Sequence, residues 1–349
     1  MIFSRRTLPV PVRSVVVLTK HRFMGDTIVA VPMLRAARQV FPEATITLVT
    51  GMAAATALEH CPFVDTFLRY NPRDPHYNSQ ELFKALTQCA TSPDVCLVAD
   101  RSFRSAYLAL RIGGKVRAGF ASEGRGFLLT HPVTYRASAP EIECCLDILR
   151  AVVPEGQDTP AYDPTPQLFI TGEERNRGSE ILVAQGATPG TCVGIQPGAN
   201  DGKAWLPKRY AEVAKELISC GKTVVLLGSG KGEEQVAEQV RQAIGELPTI
   251  NLTSKTTLRE TMGVLTQLSL FIGNDTGVNH LAASLGVPTI ALFGQTSAIK
   301  WGHQSEQNRV LTAPDGDMTR LEREAVLRVA QELLEKKIVQ PSPAAGVYV

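Results

Sequence analysis

One stretch restricts this chain more than any other: Phe271 to Phe293, FIGNDTGVNHLAASLGVPTIALF. Leu268, Leu270, Phe271 and Ile272 read as a short apolar strand. Gly273-Asn274-Asp275-Thr276-Gly277 reads as a turn, and Val278 to Leu285 as a helix stopped by Gly286. Pro288 then opens a second apolar strand, Thr289 to Phe293. Strand, turn, helix and strand in so few residues call for a parallel βαβ corner. Such a corner aims unpaired N–H groups of the helix at one point, where the helix dipole adds positive potential. Phosphate suits that point. Asp275 or Thr276 is placed to cap the helix, and Gly277 lets a ligand approach the backbone. A capped corner that binds nothing fits the turn equally well.

The same rhythm runs through the rest of the chain. In the N-terminal half, Val15–Thr19 is strand-like and Thr27 to Val40 has helical spacing. Thr45–Val49 is strand-like, Ala53 to His60 is an alanine-rich helix, and Val95–Ala99 is a strand ending at Asp100. A helix follows through Tyr107 and Leu110. Pro154 to Pro166, PEGQDTPAYDPTP, reads as a linker. The second half restarts with strands at Thr191–Gln196 and Thr223–Leu227. Its predicted helices are Tyr210–Ser219, Glu233–Ile244, Leu258–Leu265 and Glu322–Lys337, before a tail expected to fray. The expectation is α/β: an N-terminal domain over 1–153, a linker over 154–166 and a C-terminal domain over 167–349. Both would be Rossmann-like, facing across a cleft, with ligands at the carboxyl ends of parallel strands.

Composition narrows the class. With 349 residues, 44% of them hydrophobic, each half can bury a core. No uncharged apolar run reaches the roughly 18 residues that a membrane span needs. The apolar run after the basic N-terminus is too short for a signal peptide, so that terminus reads as a loose arm before the first strand. Cys61, Cys89, Cys96, Cys144, Cys145, Cys192 and Cys220 are scattered with no zinc spacing, which suits a reducing cytoplasm and buried thiols. Net charge is +2, but residues 1–153 hold 18 Lys and Arg against 12 Asp and Glu. That excess suggests an anionic partner for the N-terminal half, although ordinary scatter would also produce it.

Four polar clusters follow predicted strands. In His21-Arg22-Phe23-Met24-Gly25-Asp26-Thr27, Asp26 stands at a helix entrance, either as an N-cap or as a base for a hydroxyl proton. Gln196 to Pro207 brings Lys203, a point charge for phosphate or simply a solvated lysine, and Trp205, which would pack on the domain. Gly228-Ser229-Gly230-Lys231-Gly232-Glu233-Glu234 is neither a P-loop nor a GxGxxG fingerprint. It reads as a sharp strand-to-helix turn that leaves Glu233 or Glu234 free to reach a ribose. The fourth cluster is the opening motif, with Asp275, Thr276, Gly277 and His280; a lone histidine there is more often simply satisfied within the fold.

The strings themselves resemble glycosyltransferase family 9, the bacterial lipopolysaccharide heptosyltransferases. Met24-Gly25-Asp26 with Pro32, Leu34-Arg35, Phe41-Pro42 and Ala44-Thr45-Ile46 is similar to the family's N-terminal signature. Pro197-Gly198-Ala199 with Lys203 and Trp205-Pro207, then Gly228-Ser229 with Glu234, resemble its donor loops. Asn274 to Gly277, His280 to Ala283, Leu285 to Pro288 and Ala291 to Gly294 resemble its most specific block. The resemblance covers roughly residues 15 to 335. It departs at Gly294-Gln295-Thr296-Ser297-Ala298, at Ser254 where glycine is usual, and in lacking a cysteine-rich stretch near residue 310.

The resemblance implies a GT-B fold and an inverting, metal-independent transfer from a nucleotide sugar, most often ADP-L-glycero-D-manno-heptose. The acceptor would be a hydroxyl on a lipopolysaccharide core, an anionic glycolipid. It implies Asp26 as general base and Lys203 on the diphosphate, with Thr276 and Gly277 donating backbone N–H groups. Glu234 would meet the ribose, Ala199 and Asn200 would flank the nucleotide, and Asp275 and His280 would shape the site. Charge placement adds Arg101, Arg104 and Arg117 as candidates for holding the acceptor. No metal, cofactor or nucleic acid is expected. The expected location is the cytoplasm, with peripheral contact with the inner membrane. A sugar-nucleotide epimerase or a non-catalytic nucleotide-sugar-binding protein are the alternatives on the same scaffold; an NAD-dependent oxidoreductase lacks its fingerprint.

Overall fold

The computed structural model describes residues 7–153, 163–198 and 204–335. The chain divides into two compact units, Met1–Phe169 and Ile170–Val349. Most of the expected linker, the N-terminal arm before residue 7 and the tail after 335 lie outside the described residues. No described helix is long and apolar enough to cross a membrane.

The first unit holds strands β1 (Ser14–Leu18), β2 (Thr45–Thr50), β3 (Thr66–Arg69), β4 (Val95–Val98), β5 (Val116–Phe120) and β6 (His131–Val133). Its helices are α1 (Met24–Ile28), α2 (Val31–Val40), α3 (Met52–Ala57), α4 (Ser79–Cys89), α5 (Phe103–Arg111) and α6 (Glu141–Arg150). The strands pair in the order β3-β2-β1-β4-β5-β6, all parallel. β1 and β4 are buried almost throughout, as strands covered on both faces must be.

The single helix expected over Thr27–Val40 is two, α1 and α2, separated at Val29-Ala30. Pro32 is the physical reason. It has no N–H to continue the ladder, and its ring clashes with the carbonyl four residues back, so it sits in the first turn of a new helix instead. Cys144 and Cys145 lie buried on α6, and all seven cysteines are free thiols. Burial pushes the Cys96 thiol up to about 12.

The second unit repeats the plan with α7 (Gly172–Ala184), β7 (Cys192–Gln196), α8 (Pro207–Ser219), β8 (Thr223–Leu226), α9 (Lys231–Ile244) and β9 (Thr249–Asn251). It continues with α10 (Leu258–Leu265), β10 (Leu268–Asn274), α11 (Gly277–Ser284), β11 (Thr289–Phe293), α12 (Ala298–Trp301), β12 (Asn308–Thr312) and α13 (Arg323–Glu335). Its order, β12-β11-β10-β7-β8-β9, is again parallel throughout. Read from β9, it is the strand order of the first sheet and of the dinucleotide-binding Rossmann fold.

Two helices of this unit, α7 and α10, come backbone to backbone at a pair of glycines. A Cβ on Gly178 of α7 would stand 2.1 Å from the carbonyl carbon of Gly263 on α10. Both helices start with a capping box, Thr171/Glu174 and Thr257/Glu260. Each capping glutamate also takes an arginine from the other helix: Arg259 Nε donates to Glu174 at 2.6 Å and Arg177 Nε to Glu260 at 3.1 Å.

Candidate active site

In this strand order the chain reverses direction across the sheet between the first and fourth strands, and the carboxyl edge there forms a crevice. The pairs are β1/β4 in the first unit and β7/β10 in the second. Among the described residues, Asp26 lies at the first of these places and Asp275, Thr276, Gly277 and His280 at the second.

At the β1/β4 edge, the loop after β1 leads into α1. Thr27 pins that helix to the sheet, its hydroxyl 3.1 Å from the Thr19 hydroxyl and 3.0 Å from that of Thr50. Gly51 makes room for the loop, because a Cβ there would lie 1.9 Å from the His21 carbonyl oxygen. Asp26 occupies the first turn of α1, whose N-cap residue is Phe23, so Asp26 is not the N-cap. Its side chain is 14% exposed and ion-paired with Lys20. Burial holds the Asp26 carboxyl above the usual carboxylate range. Lys20 opposes that shift, Glu141 adds to it, and Arg101 acts weakly against it.

Two neighbours of this cluster carry no local sequence signal. Glu141, at the start of α6, is 3% exposed and accepts from the Tyr135 hydroxyl at 2.8 Å. Arg125 is 1% exposed; it donates to the Phe120 carbonyl at 2.9 Å and to the Arg101 carbonyl. It thereby fixes the backbone of Arg101, whose guanidinium lies 4.3 Å from the centre of the Tyr135 ring. Such residues come from distant segments and are recognisable only once the sheet is assembled.

The three arginines expected to hold an acceptor separate. Arg101 stacks on Tyr135, whose hydroxyl donates to Glu141, and its charge slightly lowers the Asp26 carboxyl. Arg104 is exposed and donates to the Tyr70 hydroxyl at 2.8 Å. Arg117 faces the core instead. Its Nε donates to the Leu128 carbonyl and its Nη1 to the Gly114 carbonyl, both at 2.7 Å. Its position inside β5 directs it away from solvent, so it cannot take the acceptor role.

At the β7/β10 edge, β10 runs through Gly273 and Asn274, which leaves only Asp275 and Thr276 as the turn. Asn274 is fully buried and anchors the loop after β7. Its amide oxygen accepts from the Trp205 N–H at 3.0 Å, and its amide nitrogen donates to the Pro197 carbonyl at 3.2 Å. Trp205 is also fully buried, its indole donating to the Leu321 carbonyl at 2.9 Å. Ala199, Asn200 and Lys203, on the same loop, lie outside the described residues.

Thr276 is the N-cap residue of α11, but its hydroxyl makes no cap. It donates to Gln196 Oε1 at 2.5 Å; Gln196 Nε2 donates to Glu233 at 3.1 Å, and Glu233 accepts the Ser229 N–H at 2.9 Å. Glu233 is thus engaged in holding the Gly228-Ser229 turn, while Glu234 beside it is exposed. The expected side-chain cap is replaced by a chain of hydrogen bonds joining the ends of β7, β8 and β10. Thr276, Gly277 and Val278 are partly exposed, and the Thr276 side chain does not cap the first N–H groups of α11.

His280 is 5% exposed, one turn into α11. Its Nδ1 lies 2.7 Å from His303 Nε2, and its Nε2 lies 3.9 Å from Asp275. His303 was not visible in the sequence as a site residue. Burial, then His280, depress its pKa to about 3, so it is neutral. A neutral imidazole behind His280 fixes that ring without adding charge beside the α11 N-terminus. Among the described residues, no group of three or more His, Cys, Asp or Glu is placed to hold a metal.

Two Rossmann-ordered units, each with its polar residues gathered where the strand order reverses, define the GT-B class of α/β proteins. The family model described as glycosyltransferase family 9 (heptosyltransferase) matches residues 80–330, and the chain belongs to that family. It is therefore a glycosyltransferase. Among curated proteins, it is 29% identical over 238 residues to lipooligosaccharide heptosyltransferase 2 of Haemophilus influenzae, covering 65% of this chain and 68% of that one. Among solved structures, a family 9 glycosyltransferase from Veillonella parvula aligns with a TM-score of 0.80 at 22% identity, covering 94% of this chain and 99% of that one. The Escherichia coli ADP-heptose lps heptosyltransferase II aligns with a TM-score of 0.75 at 23% identity, covering 92% and 98%. At those identities, the two structures speak for the fold alone.

Proposed function

We propose that this protein transfers heptose from ADP-L-glycero-D-manno-heptose to a hydroxyl of a lipopolysaccharide core, with inversion and without a metal. The observation that carries the reading is Asp26, a sheltered carboxylate at the β1/β4 edge whose proton affinity is raised by burial and trimmed by Lys20. Family membership and the heptosyltransferase relatives support the sugar and the acceptor class.

In this reading Asp26 takes the proton of the acceptor hydroxyl as its oxygen attacks the anomeric carbon. The bond from that carbon to the diphosphate breaks, and ADP leaves with the bonding pair. The charge that develops on the leaving phosphate is met by the N–H groups of Thr276 and Gly277 and by Lys203. Glu234 reaches the ribose, Ala199 and Asn200 flank the nucleotide, and Asp275 with His280 shapes the seat. Arg101 and Arg104 hold the anionic acceptor. The protein would work on the cytoplasmic side of the inner membrane, in peripheral contact with it.

The test is incubation with ADP-heptose and a panel of core acceptors in excess EDTA, with product read by mass and anomeric configuration by NMR. Turnover with inversion is the expected result, and Asp26→Asn should lower kcat by about 10²–10⁴-fold. Dependence on added divalent metal, or full activity of Asp26→Asn, would overturn the reading.

A further inference from the structure

Ser254 stands where glycine is usual in family 9, and its backbone still takes a conformation that suits glycine. Its φ is 56°, in the left-handed region, where a Cβ crowds the following carbonyl oxygen. Asn and Asp are the residues that accept this region most readily; serine is not one of them. Such strain persists only where the surroundings hold it. Ser254 follows the end of β9 closely, and two hydrogen bonds tie it to the loop after β8. Its N–H donates to the Gly228 carbonyl at 2.9 Å, and its hydroxyl accepts the Gly230 N–H at 2.9 Å. A glycine would keep the first bond and lose the second.

The second bond answers a need created at α9. Gly230 is the N-cap residue of that helix and has no side chain to cap with. In α7 and α10 the N-cap N–H goes to a glutamate in the first turn. Thr171 N–H donates to Glu174 at 2.8 Å, and Thr257 N–H to Glu260 at 3.0 Å. Glu233 holds the matching position of α9, but its carboxylate is committed elsewhere. One oxygen accepts from Gln196 and the other from the Ser229 N–H. Gly198 and Gly228 admit it there, because a Cβ on either would stand within 2.6 Å of the Glu233 side chain. Ser254 supplies the acceptor that Glu233 withholds from Gly230. Both Ser254 and Gly230 are exposed, so water would also satisfy that N–H. What water would not do is fix where α9 begins.

We propose that Ser254 is a positioning residue of the nucleotide seat. Its hydroxyl holds the N-terminal end of α9, which leaves Glu233 in the brace with Gln196 and keeps Glu234, the next residue, at the ribose. The proposal rests on the nucleotide reading of the second unit. It adds the loop after β9 to those after β7, β8 and β10, and Ser254 acts through Glu234 without touching the nucleotide itself.

Ser254→Gly and Ser254→Ala both remove the hydroxyl, but only alanine keeps the strain. Calorimetric titration with ADP in EDTA should show the two variants weakened alike, by about three- to tenfold. The glycine variant should melt above the alanine one. The loss should fall on the ribose contact. The unaltered protein should prefer ADP to an analogue without ribose hydroxyls, and that preference should shrink in both variants. Glu234→Gln should cost less affinity in the Ser254→Gly background than alone. Amide exchange at Gly230 in the free protein should be faster in both variants. ADP affinity left intact by Ser254→Gly, or a loss that follows the melting temperatures of the two variants, overturns the proposal and leaves the nucleotide reading standing. The same holds if the costs of Glu234→Gln and Ser254→Gly simply add. Failure of the unaltered protein to bind ADP overturns the nucleotide reading, and the proposal with it.

Discussion

Asp26 and His303 are tuned in opposite senses by burial, and each sets a pH dependence. Asp26 must be ionised to act as a base, so kcat/KM should rise with pH through its elevated pKa. Lys20 opposes that elevation. Lys20→Met should therefore raise the carboxyl further and move the acid limb of kcat/KM to higher pH, measured across a buffer series. A limb that stays in place would separate Lys20 from the titration. His303 titrates near 3 in the folded chain against an ordinary 6.5. The unfolded chain takes up a proton below 6.5 that the folded one refuses, so this contribution is complete above 6.5 and is lost as pH falls toward 3. At pH 5 the loss is about 2 kcal/mol. His303→Gln should flatten urea-derived stability between pH 7 and 5 relative to the unaltered protein. Asp26 was legible in the sequence because it stands in a quoted string; His303 was not, because its partner lies 23 residues away.

Elements were legible where an apolar run and a stop signal coincided. The strand, turn, helix and strand around Thr276 are where the spacing placed them, with β10 longer by Gly273 and Asn274. What the pattern could not show is where Thr276 sends its hydroxyl, because Gln196 is 80 residues distant. β3 and β6, of 4 and 3 residues, are too short to show alternation. The α1/α2 break was readable in principle from Pro32, but helical spacing continues across it. The α7/α10 contact was hidden because glycine carries no hydropathy signal. Gly178→Ala should force those helices apart and cost about 1–3 kcal/mol, read as a lower urea midpoint at unchanged m-value. An unchanged midpoint would mean the helices slide freely.

For the molecule as a whole, two sheets share one strand order, and that order locates the polar clusters. The alternation of strands and helices made the α/β class readable from the sequence; the register of distant strands did not follow from it, since parallel neighbours are joined only in three dimensions. The proposed division of labour gives a whole-molecule prediction. Hydrogen exchange with ADP in EDTA should show slowed amides at Gly277–Asn279 and at Gly228–Gly230, with α5 unchanged. Slowing confined to the first unit would reverse the assignment of the nucleotide to the second.

The run of hydrogen bonds from Thr276 through Gln196 and Glu233 to Ser229 means that three loops leaving three strands are already tied before any ligand arrives. A seat so braced has little motion left to lose when it is filled. Binding there should carry a small entropic penalty, and loosening the brace at Gln196 should weaken the ligand through entropy while its contacts stay the same.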